Sequence, residues 1–182
     1  MSTLKVNSII PVAGVPTGGG GGIIQVKSVV KTDVFSSTST SFVDITGMSV
    51  NITPTSTTSK ILVLAQISCV GQDAGTGVML DRDGTEPLKA DASGNKQRFT
   101  MTGDFASDSY DSQYGGKKGV ILFLDSPSTT NQVTYKLKAK SRTSSTFLVN
   151  STRYTSNDTN ASLDTSTLTV MEVSAWLLPC II

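Results

Sequence analysis

Residues 133–140 have the sequence Val-Thr-Tyr-Lys-Leu-Lys-Ala-Lys, in which apolar and polar side chains alternate without a break. Successive side chains of a β-strand point to opposite faces of the sheet, so this period of two predicts a strand with one buried and one solvated face. Lysines on the solvated face also discourage pairing with foreign strand edges. Residues 48–53 alternate in the same way and end at Pro54.

Other short segments with strand character lie on both sides of this one and are separated by turn signals. Residues 60–70 are apolar on both faces, which predicts a central strand covered on both sides. Asp83-Gly84 is typical of a hairpin turn. The predicted strands are 23–30, 42–45, 48–53 (joined to the previous one at Gly47), 60–70, 78–80, 98–101, 119–125, 133–140 and 167–178.

No stretch of ten residues has convincing helical periodicity, and many short strands separated by turns are typical of a sandwich. We therefore predict an all-β fold, an antiparallel β-sandwich of jelly-roll type over residues 23–182. The preceding residues 1–22 contain the glycine tract 18–22 and are predicted to form an extended N-terminal arm.

The composition argues against most kinds of chemistry. The chain has 182 residues and a net charge of +1, without a dense basic run, which disfavours nucleic-acid binding. It has no apolar run of membrane-spanning length. It has no histidine, so the usual general base and the commonest metal ligand are missing. Two cysteines alone cannot form a zinc site. We expect no enzymatic activity, no cofactor and no metal.

Two segments have a possible ligand-binding interpretation. Residues 81–86, Asp-Arg-Asp-Gly-Thr-Glu, resemble a calcium loop superficially but lack its third acidic ligand, so a hairpin turn with solvated acids is favoured. Residues 103–119 combine carboxylates with Phe105, Tyr110 and Tyr114, a mixture that can bind sugars by stacking and hydrogen bonding. The alternative is a surface loop whose aromatic rings pack on a neighbouring segment.

Both ends of the sequence are apolar and are candidates for a subunit or shell interface. The last segment either completes the domain's own sheet or packs on another subunit, because contiguous apolar residues of this kind are seldom left exposed. The candidate interface residues are Leu4, Val6, Ile9, Ile10, Val12, Trp176, Leu177, Leu178, Ile181 and Ile182.

The two cysteines have two possible roles. A head-to-tail disulfide between Cys69 of one subunit and Cys180 of the next would close a cyclic trimer covalently, once the protein reaches an oxidising medium. The alternative is that Cys69 is a buried, inert thiol.

Three segments, residues 29–47 with their continuation to Leu64, residues 122–127 and residues 166–173, are similar to modules in virion structural proteins of cyanophages and other tailed phages. The resemblance implies a β-sandwich and a homotrimer and supplies no catalytic residues. It implies synthesis in the cytoplasm of a bacterial host and a final location on the virion surface. The role expected is a capsid decoration (cement) protein bound to other virion proteins, above all the major capsid protein. The alternative is a tail-fibre or receptor-binding module that contacts host glycan.

Overall fold

The computed structural model describes residues 22–71, 75–102, 117–153, 159 and 161–174, and the regular elements within them are all β-strands. The ten strands are β1 (Ile23–Lys31), β2 (Phe35–Ser37), β3 (Val43–Ile52), β4 (Lys60–Gly71), β5 (Gly77–Arg82), β6 (Met101–Thr102), β7 (Lys117–Asp125), β8 (Val133–Lys140), β9 (Phe147–Val149) and β10 (Ser166–Val173).

The strands form two antiparallel sheets. The first sheet has the order β1-β10-β4-β7, and the second has the order β3-β8-β5-β6. Neighbouring strands are distant in sequence, as in a pair of Greek keys, and this arrangement of eight strands is the jelly roll that the sequence predicted. The all-β antiparallel sandwich is therefore confirmed.

The short strands β2 and β9 lengthen the first sheet at one end. β10 pairs with β4 from Lys60 to Gln66, and β9 pairs with the next part of β4, from Cys69 to Gly71. β2 then pairs with β9. One strand position of the sheet is thus shared by two separate segments of the chain, β9 and β10, and the next position by β1 and β2.

The core fills the space between the two sheets. β8 and β10 bury every second side chain along their whole length, as the alternation of residues 133–140 predicts. Burying apolar area contributes roughly 25 cal/mol per Å², so this two-sided apolar layer is the main source of stability. Its members include Ile45, Met48, Ile61, Val63, Ile67, Leu80, Ile121, Tyr135, Leu137, Phe147, Leu168 and Val170.

Some strand boundaries differ from the prediction. Residues 42–45 and 48–53 belong to one strand, β3, which continues through Gly47 with a shift in register between Asp44 and Ser49. Gly47 has a φ of 82°, which a side chain would disfavour, so the glycine permits a bulge instead of ending the strand. β6 is two residues long, and β2 and β9 are not in the sequence prediction.

A buried polar cluster joins the two sheets. The Arg82 guanidinium on β5 donates from Nη1 to both carboxylate oxygens of Asp125 on β7, at 2.7 and 2.6 Å. The Tyr135 hydroxyl on β8 donates to the same carboxylate at 2.7 Å. Burial, together with the neighbouring Asp125 carboxylate, raises the pKa of Tyr135 above its ordinary value, so the phenol stays protonated as a donor.

A second polar cluster is centred on Asn150, which directly follows β9. Its Nδ2 donates to the backbone oxygens of Lys31 and Asp33, at 2.9 and 3.1 Å. Its Oδ1 accepts a hydrogen bond from the Ser166 hydroxyl at 2.6 Å, and its backbone N–H donates to Ser68 O at 2.9 Å. Asn150 therefore connects the end of β1, the middle of β4 and the start of β10, where the sheet passes from one segment to the next.

A third cluster holds the turn after β3. Glu172 on β10 accepts hydrogen bonds from Gln25 Nε2 and from both the backbone N–H and the hydroxyl of Thr55, each at 2.7 Å. Burial alone would raise the pKa of Glu172, but the hydrogen bonds from Gln25, Ser59 and Thr55 outweigh it and hold this pKa below the ordinary value.

Candidate interaction surface

The outer face of the first sheet consists of three rows of side chains that run across its four strands. Strand register sets each row, because residues paired in adjacent strands point to the same side of a sheet. From β7 through β4 and β10 to β1, the rows are Val120–Gln66–Thr167–Val30, Leu122–Leu64–Thr169–Ser28 and Leu124–Leu62–Met171–Val26. We call these twelve residues the apolar face.

Six of the seven aliphatic side chains on this face are open to solvent. The exposed fractions are 64% for Val120, 66% for Leu122, 54% for Leu124, 37% for Leu64, 51% for Val26 and 62% for Val30. Single exposed apolar side chains are normal in proteins, but a contiguous group on one rigid sheet is typical of a binding surface. No side chain on the apolar face is charged, although the chain carries 29 formal charges, 15 basic and 14 acidic.

The outer face of the second sheet has the opposite character. Lys136 forms an ion pair with Asp44 at 2.8 Å, and Lys138 forms one with Asp81 at 3.0 Å. The hydrogen bond with Asp44 raises the pKa of Lys136. The apolar side chain on this side, Met79, is fully buried beneath the segment that carries Thr100, whose hydroxyl lies 3.5 Å from its Sδ. The chain thus covers or charges the outer face of the second sheet, whereas the twelve residues of the apolar face on the first sheet are uncharged and lie between Lys60 and Lys118.

Polar contacts mark one border of the apolar face. Beyond Gln66 and Val120, the Ser68 hydroxyl donates to Asp164 at 2.8 Å, and Lys118 forms an ion pair with the same carboxylate at 3.1 Å. Hydrogen bonds from Ser68 and Lys118 hold the pKa of Asp164 below its ordinary value. This border is therefore an ion pair whose carboxylate, Asp164, stays ionised at neutral pH.

The opposite border is where the first and last described segments meet. Ser174 N donates to Gly22 O at 3.1 Å, and Gly22 N donates to the Ser174 hydroxyl at 2.9 Å. Ile23, 54% exposed, pairs with Val173 at this corner. Residues 1–21 and 175–182 are thus attached to the sandwich beside the apolar face.

Most residues singled out from the sequence lie outside the described residues. They are Leu4, Val6, Ile9, Ile10, Val12, Phe105, Tyr110, Tyr114, Trp176, Leu177, Leu178, Cys180, Ile181 and Ile182. Their assignment to interfaces, to a recognition loop and to a disulfide stays a prediction.

Cys69 and the acids of residues 81–86 are described. Cys69 is 2% exposed and belongs to the core, so its Sγ is not presented at the surface. Asp81 is paired with Lys138, and Asp83 Oδ1 accepts the Thr134 N–H at 3.0 Å. Asp83 and Gly84 have φ values of 48° and 85°, and Arg82 and Thr85 exchange two backbone hydrogen bonds of 2.8 Å, which confirms the predicted hairpin turn.

The sequence prediction missed the apolar face although it contained the signal. Residues 60–70 were predicted to be covered on both sides, but the outer face of β4 is open at Leu64. In β7, the run Val120–Leu124 is apolar at every position, and alternation assigns its even-numbered members to the outside. An uninterrupted apolar run predicts a strand with two apolar faces. It does not predict whether other residues of the same chain bury both faces.

Comparison with known proteins gives little further information. No protein-family model matches the chain, and no curated protein matches it. A chain in the solved structure of infectious bursal disease virus, Gx strain, superposes with a TM-score of 0.36 and 14% sequence identity. The match covers 90% of this chain and 43% of the viral one, so this chain spans less than half of that neighbour. A TM-score this low supports no conclusion about function.

The part of the chain that the structure describes contains no helix with the length and hydropathy of a membrane span.

Proposed function

We propose that this protein is a non-enzymatic structural component of a tailed-phage virion, and specifically a capsid decoration protein that stabilises the head by bridging shell subunits. The observation that supports an assembly role is the apolar face, an uncharged surface on which six aliphatic side chains are exposed together. The resemblance of residues 29–47, 122–127 and 166–173 to phage virion modules supports the assignment to a virion.

The proposed mechanism is mechanical. A protein that binds only the assembled shell stabilises that state in proportion to the logarithm of its concentration relative to its dissociation constant. A jelly roll suits this role because the apolar core and the buried Arg82–Asp125–Tyr135 cluster hold the two sheets in a fixed relationship. A bound copy would therefore transmit strain between shell subunits without deforming.

The test is a copy count in virions that contain this chain, by quantitative mass spectrometry against the major capsid protein, together with a reconstruction of the particle. Hundreds of copies at icosahedral positions are expected for a decoration protein. A handful of copies on the tail would overturn that role and favour the tail-fibre or receptor-binding alternative. Absence of the protein from purified particles would overturn both.

A variant experiment tests whether the apolar face is required for incorporation of the protein into virions. Virions grown with Leu122→Asp as the only source of the protein should lack it and should lose genome at a lower temperature than wild-type virions. Asn51→Asp is the matched control, because Asn51 is exposed on the outer face of the second sheet and receives the same added charge.

A further inference from the structure

We draw no further inference here: the strongest candidate, the apolar face on the outer side of the first sheet, carries none, because nothing in the described part of the chain shows what covers it.

Discussion

The Nη1 atom of Arg82 lies 2.7 and 2.6 Å from the two carboxylate oxygens of Asp125, and this contact crosses from the second sheet to the first. The carboxylate is almost completely buried and also accepts the Tyr135 hydroxyl. Removing one partner of a buried ion pair leaves an uncompensated charge and costs about 3–5 kcal/mol. Asp125→Ala should therefore lower the free energy of unfolding by that amount in urea denaturation.

Two further variants give unfolding free energies with which that of Asp125→Ala can be compared. Tyr135→Phe removes one hydrogen bond and should cost about 1–2 kcal/mol. Asp91→Ala, at an exposed position, should stay within about 0.5 kcal/mol of the wild type. Equal stability of Asp125→Ala and Asp91→Ala would show that the cluster does not hold the sheets together.

Asn150→Gly should cost about 2–4 kcal/mol, because it removes the amide donor to the Lys31 and Asp33 carbonyls and the acceptor of the Ser166 hydroxyl, which then keeps only its hydrogen bond from Ser68 N. Glycine is the right substitution because Asn150 has a φ of 61°, so the backbone is not strained by the change. Thermal unfolding measures the loss. Asn131→Gly, at an exposed turn position, is the control, and a similar loss there would contradict the role of the Asn150 side chain.

Acid should destabilise the sandwich through Glu172. Its pKa is lower in the folded protein than the ordinary value of 4.5, so the stability it contributes is present above pH 4.5 and is lost as the pH falls through the folded-state pKa. Glu172→Gln should therefore be about 1–2 kcal/mol less stable at pH 7, and the difference should shrink below pH 4.5. Urea titrations between pH 7 and pH 3 measure this, and a difference that is constant with pH would contradict it.

The adjacent residues Ile121 and Leu122 should respond oppositely to truncation. Ile121 is 3% exposed and faces the core, so Ile121→Ala should cost about 2–4 kcal/mol of unfolding free energy. Leu122 faces outward, so Leu122→Ala should unfold like the wild type when both are measured as dilute monomers. Leu122→Ala should instead weaken the assembly contact proposed for the apolar face. An equal loss of stability at both positions would mean that the apolar face is covered within a single chain.

Much of the fold could be predicted because strand alternation is a local property. The alternation of apolar and polar side chains in residues 133–140 predicts which face of that strand is buried. Asp83-Gly84 predicts a turn because both residue types tolerate a positive φ. The pairing of β4 with β10 and β7 could not be predicted, because register depends on partners 48 or more residues away in the sequence. β2 and β9 were missed because three residues contain too little alternation to recognise.

The candidate surface was harder to predict for a related reason. The outward-facing residues of β4 and β7 are as apolar as many core residues. Only the structure of the sheet shows that Leu64 and Leu122 are neighbours and that both side chains are exposed to solvent. The role of Asn150 could likewise not be predicted, because it comes from contacts with segments far away along the chain.

The lack of charge on the apolar face has a consequence for the salt dependence of any contact made through it. Charge-mediated contacts weaken as the Debye length shrinks from about 10 Å at 0.1 M salt to about 3 Å at 1 M, whereas apolar contacts do not depend on that screening. Contacts made through these twelve residues should therefore persist at about 0.1 M and at about 1 M salt alike. The ion pairs Lys136–Asp44 and Lys138–Asp81 on the opposite side should weaken with added salt, so salt separates the contributions of the two outer faces to binding.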